Sequence, residues 1–179
     1  MLTLARPPRS VSGGLCYVAF MSFTTPDILI IPRDDPHPSM AVEARLSLDD
    51  CEATERQLKR YMVRHRCPTA MLVAPTSLRI YRDTFTSYEE GSISLVGEFP
   101  LVGVFEGIVA SMSQLPEQDR GPLFEHAVRD WLDGLTDPSA VASLPPRVRD
   151  AFEAHIVPAL KHGEVRSSSS EVPWKRTGS

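Results

Sequence analysis

The sequence contains little cysteine and no long apolar run. Its three cysteines, Cys16, Cys51 and Cys67, form no CxxC pair and are odd in number, which argues against a disulfide framework and favours a reducing, cytoplasmic location. No eighteen consecutive residues are apolar, so a transmembrane helix and a membrane partner are not expected. Prolines and glycines interrupt residues 1–14, which argues against a secretory signal.

An excess of basic charge is also absent. The net charge of −4 argues against a protein coated in basic residues for binding nucleic acid. Residues 1–85 nevertheless hold eleven Lys and Arg against nine Asp and Glu, whereas residues 86–179 hold eight against fourteen. A polyanionic partner would therefore prefer the first half. The zinc-protease, P-loop, dinucleotide-binding and serine-hydrolase motifs are all missing.

The length of 179 residues suits one domain with a sizeable core. We expect an irregular arm at 1–14, an α/β core at 15–100, a helical segment packed on the core at 101–162, and a serine-rich, disordered tail at 163–179. A short apolar element is expected at 15–23. Because Met21 lies just before the organised region, translation from Met1 or from Met21 is left open.

A strand pair and a helix dominate the first half. The strands are predicted at 26–32 and 40–46, joined by the turn-forming sequence RDDPHPS. The helix follows, with Ser47 as its N-cap, and ends before Pro68. Two more strands are expected at 69–74 and 77–85, and a short one at 92–99. Among the later helices, one is predicted to start at Pro122, and another is expected to kink or end at Pro158.

Polar residues interrupt the second strand at alternate positions. Glu43 and Arg45 share one face because successive side chains of a strand point to opposite faces. If the hairpin turns near Pro36, Asp27 lies opposite Arg45. Two acids converging beside one cation suit Mg²⁺ and a phosphate group. The simpler interpretation is a solvent-exposed salt bridge on a strand face, which contributes little.

The pattern Pro26-Asp27, fifteen residues, then Glu43-Ala44-Arg45 before a helix resembles the PD-(D/E)XK, or restriction-endonuclease-like, nuclease superfamily. The resemblance is closest to the nuclease domain of type I restriction enzyme motor subunits and their stand-alone relatives. It extends over 26–85 through PDILII, VEARLS, RQLKRYM, CPTAMLVAP and LRIYRDTF. Gln57 and Tyr61 match the Q-xxx-Y element of that superfamily's exonuclease-like branch. A weaker resemblance, to another branch of stand-alone proteins of poorly defined function, implies the same scaffold.

The resemblance implies a role for each matching residue. Asp27 and Glu43 would bind Mg²⁺, Arg45 would contact the phosphate, and Gln57 and Tyr61 would order the site or contact the substrate backbone. Arg45 stands where the family usually has lysine, and arginine cannot act as a base because it stays protonated. Lys59 is a poor substitute, since it lies away from the helix's apolar stripe.

A second departure concerns the amino terminus. Family members usually open with a helix that bears an acid near the metal, but residues 1–26 contain no Asp or Glu. The helix after the strand pair carries a basic run without acids, made of Arg56, Lys59, Arg60, Arg64 and Arg66. This run would follow a DNA backbone, or it is simply a solvated helix face.

The sequence therefore predicts an α/β fold. We expect a restriction-endonuclease-like mixed sheet of about five strands, flanked by helices, with a helical carboxyl-terminal segment. The leading function is Mg²⁺-dependent hydrolysis of DNA. The alternative is a catalytically inactive nuclease-fold module that binds nucleic acid or a protein partner. A third option is a structural protein whose acidic helical half binds a basic partner.

Overall fold

The computed structural model describes residues 25–49 and 51–168, which form a six-stranded mixed sheet with helices packed on it. The strands are β1 (Ile28–Pro32), β2 (Met40–Ala44), β3 (Thr69–Val73), β4 (Ser77–Asp83), β5 (Ile93–Pro100) and β6 (Gly163–Ser167). Their order in the sheet is β5-β4-β3-β2-β1-β6. Only the β2–β3 pair is parallel within this sheet. The predicted α/β class, with a mixed central sheet and a helical carboxyl-terminal segment, is confirmed.

The helices are α1 (Glu52–His65), α2 (Glu106–Met112), α3 (Glu117–Gly134), α4 (Pro138–Ala142), α5 (Pro146–His155) and α6 (Val157–His162). Helix α1 connects β2 to β3, because two parallel strands need a long crossover rather than a tight turn. Within the described residues, no helix combines the length and the apolarity needed to cross a bilayer.

The sheet separates two hydrophobic cores. On one face, side chains such as Val42 and Met71 pack with the carboxyl-terminal helices, including Phe124 of α3. On the other face, alternate residues such as Ala41 and Leu72 pack against α1. Strands β2 and β3 are buried along their whole length, so each contributes to both cores.

The register of the first hairpin differs from the prediction. Ile28 pairs with Val42, and the β1–β2 loop closes with a bond from Ser39 N–H to the Ile30 carbonyl of 2.8 Å. The turn is thus centred one residue earlier than Pro36, which moves every pair by two residues. Asp27 therefore lies level with Glu43, and the predicted opposition of Asp27 to Arg45 is wrong.

Two predicted helix starts are also wrong, whereas a predicted break is confirmed. Cys51, not Ser47, occupies the N-cap of α1, because the Ser47 hydroxyl instead donates to Asp49 at 2.7 Å in a local turn. Helix α3 begins at Glu117 and contains Pro122 in its interior. Pro158 lies in the first turn of α6, directly after α5 ends.

The beginning of the predicted tail is ordered. Residues 163–167 form β6, which pairs with β1 over five positions and makes the sheet six-stranded rather than five-stranded. The sequence GEVRS lacks the apolar pattern that predicts a strand. Half-exposed edge strands are often polar in this way. The predicted arm at 1–14, the apolar element at 15–23 and the rest of the tail, 169–179, lie outside the described residues.

Candidate metal and phosphate site

Asp27 and Glu43 meet at one end of the β1–β2 pair. Asp27 directly precedes β1, and Glu43 is the fourth residue of β2. The Asp27 backbone N–H donates to Glu43 Oε2 at 3.3 Å, and the Ala44 N–H donates to Asp27 Oδ2 at 2.9 Å. Each carboxylate therefore accepts a hydrogen bond from a backbone N–H of the neighbouring segment. These two bonds hold the acids close together.

Arg45 bridges the two carboxylates. Its Nη1 donates to Asp27 Oδ2 at 3.3 Å and to the Ala44 carbonyl at 2.9 Å, while its Nη2 contacts Glu43 Oε1. The Arg45 backbone N–H donates to the Val73 carbonyl at 2.8 Å, which anchors the residue beside β3. Since Glu43 is only 7% exposed, this cluster differs from the solvent-exposed salt bridge that the simpler interpretation assumes.

Burial dominates the electrostatics of the pair. It raises the pKa of Glu43 to about 7, with the charge of Asp27 adding to the effect and Arg45 opposing it. Burial also raises the pKa of Asp27, while the Ala44 N–H and Arg45 lower it. Glu43 therefore titrates near neutral pH. A divalent cation would favour the charged form of both groups.

Glu125 of α3 is a third acid near this pair that the sequence did not reveal. Its charge contributes to the raised pKa of Asp27, and its Oε1 accepts a bond of 2.7 Å from the Ser167 hydroxyl of β6. No motif marks it. Its only signal is its place next to Phe124 on the apolar stripe of α3. Within the described residues, no group of three His, Cys, Asp or Glu side chains is arranged to hold a metal.

Gln57 and Tyr61 lie on α1, which covers the sheet face that Glu43 shares with Ala41. Tyr61 is half-buried and stacks on His65, with 4.3 Å between the ring centroids. Burial raises the pKa of Tyr61 to about 12, so it is a neutral phenol at physiological pH. It makes no hydrogen bond to Asp27 or Glu43 in the described part of the chain. Gln57 is exposed one turn earlier.

The basic residues of α1 make different contacts. Lys59 pairs with Glu55 at 2.7 Å and lies 5.5 Å from the ring centre of Tyr81 in β4. It is thus held two strands away from Glu43. Arg60 pairs with Glu90 at 2.9 Å, and Arg56 Nε donates to a carbonyl of its own helix at 3.4 Å.

A cavity of about 550 Å³ opens beyond the ends of β2 and β3, and Asp27, Glu43 and Arg45 are not among its lining residues. Its lining includes 46–49 and 74–77, which directly follow the carboxyl ends of the parallel strands β2 and β3, together with Arg79 and Arg120. Ligands of α/β proteins commonly bind outside the carboxyl ends of parallel strands. The cavity therefore lies where the two parallel strands end, but the acidic pair does not line it.

We compared the chain with models of protein families, with characterised proteins and with solved structures, and none of the three comparisons found a match. The function must therefore be argued from the geometry and chemistry of the site.

Proposed function

We propose that the protein is a nuclease of the PD-(D/E)XK type that hydrolyses DNA phosphodiester bonds with Mg²⁺ held by Asp27 and Glu43. The observation that carries the proposal is the convergence of two largely buried acids from adjacent strands on one position that also touches a guanidinium. Hard divalent cations in phosphate chemistry are typically bound by one or two carboxylates and several waters.

The donor set fits Mg²⁺. Asp27 uses Oδ2 for the Ala44 N–H and for Arg45, while Oδ1 makes no hydrogen bond among the described residues. Burial is the main cause of the raised pKa of both carboxyls, and a divalent ion held between them would favour their charged forms. When bound, the ion would polarise the phosphate and lower the pKa of a coordinated water.

The protein groups then have separate roles. Arg45 binds a non-bridging phosphate oxygen and stabilises the charge that develops on it. Because Arg45 stays protonated, it does not take the proton from water. Gln57, Tyr61 and the exposed arginines of α1 serve substrate binding. Turnover should be slow, since the site lacks the lysine that the family normally uses.

A cleavage assay tests this proposal. Supercoiled plasmid and single-stranded DNA are incubated with the protein in Mg²⁺ or Mn²⁺, beside Asp27→Ala and Glu43→Ala. We expect each substitution to reduce cleavage by about 100-fold or more, as for other groups that stabilise transition-state charge. Glu153→Gln, on the exposed face of α5, should cleave like the wild type. Equal cleavage by all four proteins would assign the activity to a contaminant.

A second candidate is a catalytically inactive module of the same fold. It is favoured by Arg45, whose guanidinium already neutralises both carboxylates and occupies the space beside them. The Arg45→Lys variant separates the two functions. Lysine cannot bridge both acids bidentately, so it leaves room for a metal and can orient a water. Cleavage in Arg45→Lys but not in the wild type would favour the inactive module.

A further inference from the structure

Two aromatic side chains are unusually exposed at one end of the sheet. Tyr88 is 81% exposed and Phe85 is 55% exposed, and both lie in the segment 84–89 between β4 and β5, here called the aromatic loop. Large aromatic side chains are normally buried to a high degree, so two that project together indicate a contact surface.

The aromatic loop is held in a defined shape. The buried carboxylate of Asp83 accepts the Phe85 N–H at 2.8 Å, and the Thr84 hydroxyl donates to the Ser92 carbonyl at 2.8 Å. Phe85 has a φ of 54°, a left-handed conformation that a residue other than glycine adopts only at a cost in free energy. A preorganised aromatic pair loses little entropy when it binds a partner.

Basic groups lead to this loop along α1. Arg56, Arg60 and Arg64 follow one another at intervals of four residues, so they form a stripe on the exposed face of the helix. Arg66 caps the helix, and its guanidinium lies 5.9 Å from the ring centre of Tyr88. The stripe from Arg56 to Arg66 spans about 15 Å.

Acids flank the stripe without cancelling it. Glu90 binds Nε of Arg60, and Glu89 is exposed nearby. An exposed ion pair is weak, and arginine keeps further N–H donors for a phosphate. The regular cationic spacing beside flat aromatic rings favours a polyanion with aromatic bases over a protein surface.

The space between the loop and the helix sets the kind of ligand. Val63, Arg66, Asp83 and the aromatic loop enclose about 170 Å³, less than the roughly 300–1,000 Å³ of pockets that enclose a small molecule. A shallow recess of this size suits a single flat ring stacked on an exposed side chain. It does not suit a metabolite that must be surrounded.

We propose that this surface binds single-stranded nucleic acid, with bases stacked on Tyr88 and Phe85 and phosphates along Arg56, Arg60, Arg64 and Arg66. Aromatic platforms next to cationic grooves bind single strands in this way. This proposal rests on the proposed function, from which it takes nucleic acid as the class of ligand. Helix α1 runs antiparallel to β2 and β3, so its first turns lie at the Glu43 end of the sheet and the aromatic loop lies at the other end.

The test measures binding without cleavage. A fluorescein-labelled oligo-dT of twelve nucleotides is titrated with the full chain in EDTA, and an RNA of the same sequence and a duplex form parallel arms. Tyr88→Ala should weaken single-strand binding by about 5- to 100-fold, because the stacking of one base on an aromatic residue strengthens binding by about that factor. Tyr88→Phe should bind within about twofold of the wild type, whereas Tyr88→Leu should resemble Tyr88→Ala. Duplex binding should change little.

Matched controls separate stacking from charge and from folding. Val102→Ala, at another highly exposed apolar position, should leave the affinity unchanged. Arg64→Ala should lower the slope of log K against log salt by about 0.7, whereas Arg147→Ala on α5 should not. Circular dichroism of each variant confirms that it is folded.

Three results would overturn the proposal. They are an absence of single-strand binding by the wild type, equal affinities of Tyr88→Ala and Tyr88→Phe, and loss of a protein partner from Tyr88→Ala with unchanged oligonucleotide affinity. Because binding is measured in EDTA, it does not depend on a metal at Asp27 and Glu43. Failure of the cleavage assay with intact binding would therefore reject the proposed nuclease and leave this surface standing.

Discussion

The Glu43 carboxyl lies in a strand that is buried on both faces, next to a second carboxyl and one guanidinium. Its pKa is about 7 in the folded chain against a usual value of 4.5. Between these values the folded state binds more protons than the unfolded state. Stability therefore decreases as the pH rises from about 4.5 to 7, and the loss is complete above that window.

This linkage gives a testable pH dependence. We expect Glu43→Gln to be more stable than the wild type at pH 8, by up to about 3 kcal/mol, and to lose that advantage near pH 5. Urea denaturation at several pH values measures the difference, and subtracting the two curves removes the titration of other groups. Glu153→Gln, an exposed control, should follow the wild type. A pH-independent difference between Glu43→Gln and the wild type would contradict the raised pKa.

Strand alternation in the sequence places Glu43 and Arg45 together, and hairpin pairing brings Asp27 near them although its register is off by two residues. It could not reveal Glu125, because that residue approaches Asp27 only through the packing of α3 against the sheet. Nor could it show that Arg45 contacts both acids, since side-chain geometry depends on the bond from Arg45 N–H to β3. Local patterns predict which residues share a face, whereas tertiary packing decides which distant residues join them.

Strand β6 depends on pairing with a neighbouring strand rather than on its own sequence pattern. Its residues read as a polar tail, yet they pair with β1 at the edge of the sheet. At its start, a Cβ on Gly163 would lie 2.3 Å from Ile30 Cγ2 and 3.0 Å from the Ala159 carbonyl. The close approach of α6 and β1 at this point therefore depends on the absence of a side chain.

We expect Gly163→Ala to destabilise the protein by about 1–3 kcal/mol, because extra volume in a packed site forces the backbone or neighbouring side chains to move. Gly134→Ala is the matched control. Gly134 ends α3 and has open space around its Cα, so alanine there should be neutral or stabilise by up to about 1 kcal/mol. The shift of the urea midpoint measures both. Equal shifts would show that β6 packs less tightly than described.

The hairpin and α3 show why element boundaries escaped prediction. The β1–β2 loop contains two prolines, and the sequence does not say which residue lies at its centre. One residue of displacement changes the pairing by two. Pro122 predicts a helix start because proline is favoured there, yet α3 begins five residues earlier and contains Pro122 in its interior. In both places the backbone follows the packing of the flanking apolar residues rather than the local proline preference.

At the scale of the whole molecule, β2 and β3 connect the two cores. Each strand buries one set of side chains on either face. Unfolding of one core would therefore expose the strands against which the other core packs. We expect both cores to unfold in one cooperative transition.

Trp131 packs on one core, and Cys51 and Cys67 are buried in the other, so each core carries a probe. In a Cys16→Ser, Trp174→Phe background, the urea midpoint of Trp131 fluorescence should coincide with that of thiol labelling. Thiol reactivity at urea concentrations where the fluorescence is still native would show instead that α1 opens separately.

Arg45 also has a consequence for how the protein would respond to its ionic surroundings. Its guanidinium is a cation covalently tethered to its own binding site, and a short flexible tether gives an effective concentration of roughly millimolar. A free divalent ion would have to compete with the Arg45 guanidinium for Asp27 and Glu43. If the site binds a divalent ion as proposed, Arg45 would act as an internal competitor, and occupancy would depend on whether the ambient ion concentration exceeds that effective concentration.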